Sequence, residues 1–206
     1  MIGLIKKLTM NLGNYIIPIE TKNGICVDVG ANFGDFTNTY LHHFNKIIYV
    51  EPQDKLFKDL KVRFEEYNHV IGLNLGVWDM SDVELEMVSH SNNDFGSTGV
   101  KTGEINDDWT NNVVNKVKSI NLSKLFEHIN NESIDYLKVD CETSEYRFLF
   151  NQDLSKINYI GIELHHHMGN EKYNQLLEWI KRTHDLIHGD DSYVFGINKE
   201  VLFKLR

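Results

Sequence analysis

Ile25-Cys-Val-Asp-Val-Gly-Ala-Asn-Phe-Gly-Asp-Phe-Thr37 is the stretch from which the rest of the chain can be read. Mostly apolar residues lead into Asp28, and Gly30 and Gly34 then frame a tight turn around Asn32. Phe33, Phe36, Thr37, Tyr40, Leu41 and Phe44 follow at helical spacing and predict an amphipathic helix. A buried strand, a glycine turn and a helix start form the first βα unit of a nucleotide-binding sheet. The glycines permit a ligand to approach the backbone closely, and the helix start offers N–H groups that have no partner within the helix.

Downstream, apolar runs and helical repeats alternate. Ile47 to Val50 reads as a second buried strand ending on Glu51-Pro52, and Pro52 suits a first helical position before Leu56, Phe57, Leu60, Phe64 and Tyr67. Val70 to Leu75 predicts a third strand closed by Gly76, with Val77 just beyond. Val83 to Val88 alternates apolar and acidic residues, the pattern of an edge strand. Residues 89–112 are polar, and a segment that long inside a compact domain suggests a lid or substrate loop, to which Ser97-Thr98-Gly99 and Trp109 would belong. Val113 to Leu122 predicts a short strand, with Ser123 capping a helix through His128.

Ile134 to Val139 is the next strand and ends on Asp140-Cys-Glu142; Tyr146, Leu149 and Phe150 mark its helix. Tyr159 to Leu164 is a fifth core strand that runs into His165-His-His167, and Tyr173, Leu176, Leu177 and Ile180 repeat as a helix. Tyr193 to Leu205 reads as a terminal hairpin turning at Asn198-Lys199. Residues 1–24 form an N-terminal extension in which Ile2, Ile5, Leu8 and Leu12 would make one face of a short docking helix. With no internal repeat and no linker, residues 1–206 read as a single domain.

This order predicts an α/β fold, a mostly parallel sheet with helices on both faces and right-handed crossovers. Ligands of such sheets bind beyond the carboxyl ends of the strands, where Asp28, Glu51, Gly76, Asp140 and His165 fall. The composition narrows the ligand. A net charge of −9 over 206 residues argues against nucleic acid as a partner, because binding a phosphate backbone rests on Lys and Arg clusters. It favours a neutral or cationic small molecule. Cys26 and Cys141 are too few for a disulfide scaffold and read as reduced thiols of a cytoplasmic protein. The apolar start is broken by Lys6 and Lys7 and fits neither a signal peptide nor a membrane span.

The dinucleotide fingerprint needs Gly-x-Gly-x-x-Gly, whereas Gly30-Ala-Asn32-Phe-Gly34 has a different spacing. That spacing resembles the first motif of class I S-adenosylmethionine-dependent methyltransferases. Glu51, about twenty residues beyond Gly30, is suited to accept hydrogen bonds from both ribose hydroxyls. Val27 to Thr37, Tyr49 to Pro52, Ile134 to Tyr146 and Ile162 to His165, in that order and spacing, resemble the FkbM-type methyltransferases. The resemblance implies a Rossmann-like class I methyltransferase fold, with a seven-stranded sheet and a C-terminal antiparallel hairpin. It also implies S-adenosyl-L-methionine as cofactor and O-methylation of a hydroxyl on a carbohydrate or other natural product. The cofactor-binding residues would be Asp28, Gly30, Asn32, Phe33, Gly34, Thr37, Glu51, Pro52, Gly76, Val77 and Asp140. One departure stands out: the family commonly carries Glu-Gly-Ala-Glu where this chain has Glu142-Thr-Ser-Glu145.

Methyl transfer to an alcohol is a displacement that needs alignment and a group to take the hydroxyl proton. Asp140, Glu142 and His165 are the catalytic candidates, with Asp140 open to two roles, base or partner of the cofactor's amino group. The same three residues offer carboxylate and imidazole to a divalent cation, but no metal site is assigned. Of the consecutive histidines, only His165 and His167 would share a face of a continuing strand. Two other readings share the cofactor and the sheet: an RNA ribose methyltransferase, disfavoured by the acidic charge, and a non-catalytic S-adenosylmethionine-binding module. An NAD-dependent oxidoreductase fails on the glycine spacing.

Overall fold

The computed structural model describes residues 9–12, 14–90, 98–101, 109–142, 144–165, 168–188 and 192–205. A seven-stranded sheet forms its centre. Its strands are β3 (Ile25–Val29), β4 (Lys46–Val50), β5 (Val70–Leu73), β10 (Ile134–Val139), β11 (Ile157–Glu163), β12 (His184–His188) and β13 (Tyr193–Asn198). Across the sheet the order is β12-β13-β11-β10-β3-β4-β5, with β11, β10, β3, β4 and β5 parallel. β13 runs antiparallel between β11 and β12. The order reverses between β3 and β10, so the chain winds outward in both directions from that seam.

Period-two alternation decides which helices cover which face. Val27, Val29, Leu137 and Val139 pack with Leu122 and Leu125 of α3 (Leu122–Glu127), Phe148 of α4 (Glu145–Leu149) and Leu176 and Ile180 of α5 (Asn170–Ile180). On the opposite face Cys26, Ile47, Tyr136 and Tyr159 pack with Tyr40 and Phe44, which follow α1 (Asp35–Thr39), and with Leu202 of α6 (Lys199–Lys204). α2 (Asp54–Arg63) joins that side through Leu60, which packs with Tyr49.

A second, four-stranded sheet has the order β6-β9-β7-β8. It comprises β6 (Gly76–Val77), β7 (Glu84–His90), β8 (Thr98–Val100) and β9 (Trp109–Ile120). Leu85, Met87, Val100 and Val117 form its own small core. An N-terminal hairpin, β1 (Thr9–Leu12) with β2 (Tyr15–Pro18), completes the strands.

Several sequence expectations change. Leu12 lies in a strand and not in a docking helix, because Thr9–Leu12 pairs with Tyr15–Pro18; Ile2, Ile5 and Leu8 lie outside the described residues. Pro52 precedes helix α2, whose N-cap is Gln53. Gly76 does not close β5; it opens β6, which pairs with Ser119 and Ile120 of β9. Ser123 is not the cap of α3: the Asn121 side chain accepts the Lys124 N–H at 2.9 Å. The terminal hairpin is β12–β13, and the segment after Asn198 is helical because the Asn198 side chain caps α6 by accepting the Glu200 N–H at 3.0 Å. Part of the expected 89–112 loop is strand, namely the end of β7, β8 and the first residues of β9; Ser97 and residues 102–108 lie outside the described residues.

Candidate active site

Lys138 and Asp28 stand opposite each other in the β3–β10 pairing, both fully buried, on the face that alternation gives to even-numbered residues of these strands. A lysine in such a place must find carboxylates and carbonyls. Its Nζ lies 3.2 Å from Asp28 Oδ1 and 3.4 Å from Asp140 Oδ2, and donates to the carbonyls of Gly30 (2.6 Å) and Val29 (3.2 Å). Burial alone would lower the Lys138 pKa, but Asp28 and Asp140 outweigh it, so the ammonium is held above the ordinary lysine value. Asp28 Oδ2 also accepts the Thr37 hydroxyl at 2.7 Å, which ties the end of β3 to α1. One buried cation therefore fixes the glycine turn and Asp140 together.

The turn itself is held by contacts between chain segments. Gly30 has φ 73°, and a Cβ there would run into the carbonyl oxygen of Asp140. Gly34 has φ 80°, and a Cβ there would run into Leu60. The sequence reading had both glycines making room for a ligand; in the fold, the room is for the neighbouring strand end and for α2. Asn32, at φ 52°, donates its backbone N–H to Glu51 Oε2 at 2.8 Å, and Gln53 N donates to Glu51 Oε1 at 2.8 Å. Burial pushes the Glu51 carboxyl up to about 7, against the pull of those two N–H groups.

Beyond the carboxyl ends of the strands lies a cleft of roughly 710 Å³, open to solvent on one side. Val29, Val50, Leu75 and Val77 make apolar walls, and Met87 and Val100 of the small sheet form a roof. Gly30, Asn32, Glu51, Pro52 and Gly76 line one end, and Asp140, Cys141, Glu142, Ser144 and Glu163 the other. Of the cofactor residues expected from sequence, Gly30, Asn32, Glu51, Pro52, Gly76, Val77 and Asp140 meet in this cleft. Asp28 and Thr37 do not: both are wholly buried beneath the turn and bond to each other. Phe33 is 55% exposed on the outside of the turn, where its carbonyl accepts Arg63 at 2.5 Å, and Gly34 packs on Leu60.

The three catalytic candidates lie together. Asp140 and Glu142 follow β10 directly, and His165 stands two residues beyond β11. His165 Nδ1 is 2.6 Å from Oε1 of the wholly buried Glu145, while Nε2 is 3.3 Å from Glu142 Oε2 and 4.0 Å from Glu163 Oε1. Burial would lower the His165 pKa, but the hydrogen bond to Glu145 and the charges of Glu145, Glu142 and Asp140 raise it to about 9. Glu142 has φ 48°, a left-handed conformation that a non-glycine residue keeps only where its surroundings impose it. His166 and His167 lie outside the described residues.

Lys138, Glu145 and Glu163 are site residues that the sequence reading did not single out. Lys138 carried a signal, being a cation deep inside a strand read as buried, and Glu163 sat one residue before the end of another. Glu145 carried only its place at the end of the Glu142-Thr-Ser-Glu145 motif, since a glutamate in a first helical turn is itself ordinary. Among the described residues no helix is long and apolar enough to cross a membrane.

The strand order, with an antiparallel strand set second from the edge and a cleft at the order switch, defines an α/β protein of the class I methyltransferase type. The sequence matches the family model of the methyltransferase FkbM domain over residues 28–187, and the chain belongs to that family. No curated protein matches it significantly. Among solved structures, methyltransferase FkbM from Methylobacillus flagellatus KT is similar at 16% identity and a TM-score of 0.51; the match covers 83% of this chain and 42% of that one. The chain thus spans less than half the length of that relative. The pre-rRNA processing protein fibrillarin of Methanococcus jannaschii is similar at 10% identity and a TM-score of 0.50, over 90% of this chain and 70% of that one. Aeropyrum pernix fibrillarin, solved with natively bound S-adenosyl-L-methionine, is 11% identical with a TM-score of 0.48, over 88% and 68% of the two chains.

Proposed function

We propose that this chain uses S-adenosyl-L-methionine to O-methylate a hydroxyl of a small polyhydroxylated acceptor of carbohydrate type. The observation that carries this reading is the polarity of one cleft, with Glu51 at one end and Asp140, Glu142 and Glu163 at the other. The residues present fit the cofactor. The Val50, Leu75 and Val77 walls suit a flat base. Each Glu51 oxygen takes one backbone N–H and has a second lone pair for a ribose hydroxyl. Gly30, Asn32, Pro52 and Gly76 complete that end.

When bound, the cofactor supplies an electrophilic methyl on a positively charged sulfur. The chain's own contribution is orientation and proton removal. Lys138 keeps Asp140 in place from below, and Glu142, projected into the cleft by its left-handed backbone, takes the hydroxyl proton. Glu51, Asn32, Gly30 and Gly76 would hold the cofactor so that it could supply its methyl to that oxygen and leave as the neutral thioether. Glu145 holds the His165 ring beside the acidic cluster through its 2.6 Å contact with Nδ1. The acidic rim and the net charge of −9 disfavour phosphate-bearing acceptors, hence RNA. The free thiols of Cys26 and Cys141 fit a reducing compartment such as the cytoplasm.

The test is transfer of an isotopically labelled methyl from S-adenosylmethionine to a panel of neutral sugars and polyols, with RNA as comparison. Glu142→Gln is expected to lower kcat about 100-fold or more with unchanged cofactor affinity. Full activity in that variant would remove the assigned role, and labelling of RNA alone would overturn the acceptor class.

A further inference from the structure

We infer that Asp140, Glu163 and His165 bind a divalent transition-metal ion of the Mn²⁺ type at the acceptor end of the cleft. One carboxylate oxygen from each acid and one imidazole nitrogen lie within 4.8 Å of one another, all half-buried, with Asp140 and Glu163 lining the cleft. An ion bonded at about 2.1 Å to each would hold its ligand atoms about 3–4 Å apart, so side-chain adjustments of an ångström or less close the set. Two carboxylates and one imidazole suit Mn²⁺ or Fe²⁺ better than Mg²⁺ or Ca²⁺, which favour oxygen throughout.

Two observations outside that trio point the same way. The first is how the imidazole is held. Glu145, wholly buried on α4, bonds Nδ1 at 2.6 Å and so turns Nε2 toward the acids, where a bound ion would replace the Nε2 proton. A carboxylate behind a histidine is the arrangement that fixes metal-ligating imidazoles. Glu145 Oε2 has no hydrogen-bond partner among the described residues, so the buried charge of this acid leans on His165. The second is charge. Asp140, Glu142, Glu145 and Glu163 meet here, where Lys138 is shared with Asp28, His165 is engaged by Glu145 and the Tyr193 hydroxyl donates to Glu163 at 2.6 Å. The Nε2 distances to Glu142 (3.3 Å) and Glu163 (4.0 Å) exceed those of tight charge-assisted bonds. The four acids outnumber the two cationic side chains that meet them.

The use of this ion rests on the methyl-transfer reading; its binding does not. Bound there, it would take two neighbouring oxygens of the acceptor in its open positions, which selects a neutral vicinal diol or hydroxy ketone. It would make the coordinated hydroxyl more acidic, so that Glu142 could take its proton more readily.

The experiment titrates the full chain, without cofactor or acceptor, with Mn²⁺ and follows the electron paramagnetic resonance signal of the free ion. One saturable equivalent is expected. Glu163→Gln and His165→Asn should each weaken binding at least tenfold, and Glu145→Gln about 10–100-fold, through loss of imidazole orientation. Thermal unfolding of each variant shows whether it is folded. Should a variant fail that check, selective paramagnetic broadening of the His165 ring signals in the unaltered chain decides the matter. No saturable uptake, or equal uptake in all folded variants, would overturn the site. A chain that binds Mn²⁺ through these residues yet transfers no methyl would sink the functional reading alone, and one that methylates at full rate in chelator without taking up Mn²⁺ would sink the metal alone.

Discussion

At the residue scale, Lys138 has the most partners at the seam of the sheet. Removing its charge leaves Asp28 buried without a cation, and breaking a buried pair from one side costs about 3–5 kcal/mol. Lys138→Met is therefore expected to lose about that much stability in denaturant unfolding, while Leu137→Met, next to it in the same strand, should lose less than about 1.5 kcal/mol. Glu51 sets a pH dependence. Its carboxyl is raised to about 7, and ribose hydroxyls need the ionised form as acceptor. Affinity for S-adenosylhomocysteine should then fall about tenfold per pH unit below 7, and Glu51→Gln should bind weakly with no such slope in calorimetry. His184 acts on stability. Wholly buried, 2.9 Å from the Ile157 carbonyl and 2.8 Å from the Thr183 hydroxyl, it is lowered to about 4, mainly by burial. The unfolded chain takes a proton there near pH 6.5 and the folded chain only near 4. Between these the unfolded state binds more protons, so stability falls as pH falls, by about 1.4 kcal/mol per unit. A melting series over that window in the unaltered chain and in His184→Gln checks it, the variant being expected to show the shallower slope.

At the element scale, helix ends were harder to read from sequence than strands. Ile134 to Val139 and Tyr159 to Leu164 are mostly apolar stretches between turn residues, and their length and β-branched content fit buried parallel strands. Caps depend on single side chains. Ser123 and Asn121 are both good N-caps, and the choice fell to Asn121 because β9 runs on to Ile120. Trp109-Thr-Asn-Asn112 has no apolar alternation and became strand through pairing with β7, a long-range effect that local patterning does not carry. Asn198 caps α6 and also donates to the carbonyls of Ser155 and Ile157, so Asn198→Ala should cost about 2–3 kcal/mol, read as a lowered denaturant midpoint.

At the scale of the whole molecule, the glycine turn and Glu51 were legible because their spacing follows from a βαβ unit that any nucleotide-binding sheet repeats. The acidic cluster was legible only in part. Asp140 and His165 sit at strand ends, but their neighbours Lys138, Glu145 and Glu163 become a site only once β10, α4 and β11 are side by side. The small sheet was the least foreseeable feature, although it roofs the cleft with Met87 and Val100. The acidic surface gives a prediction at this scale: RNA should not compete with a sugar acceptor even at low ionic strength, where phosphate binding is strongest.

The contact between Gly30 and the carbonyl of Asp140 has an evolutionary reach. The glycine turn and the end of β10 meet there main chain to main chain, with no side chain between them to lengthen or shorten. Their spacing is therefore closed to adjustment by substitution. New acceptors have to be accommodated from the roof and the outer wall, and a laboratory selection for altered substrate range should collect its changes at Met87 and Val100 while leaving Gly30 untouched.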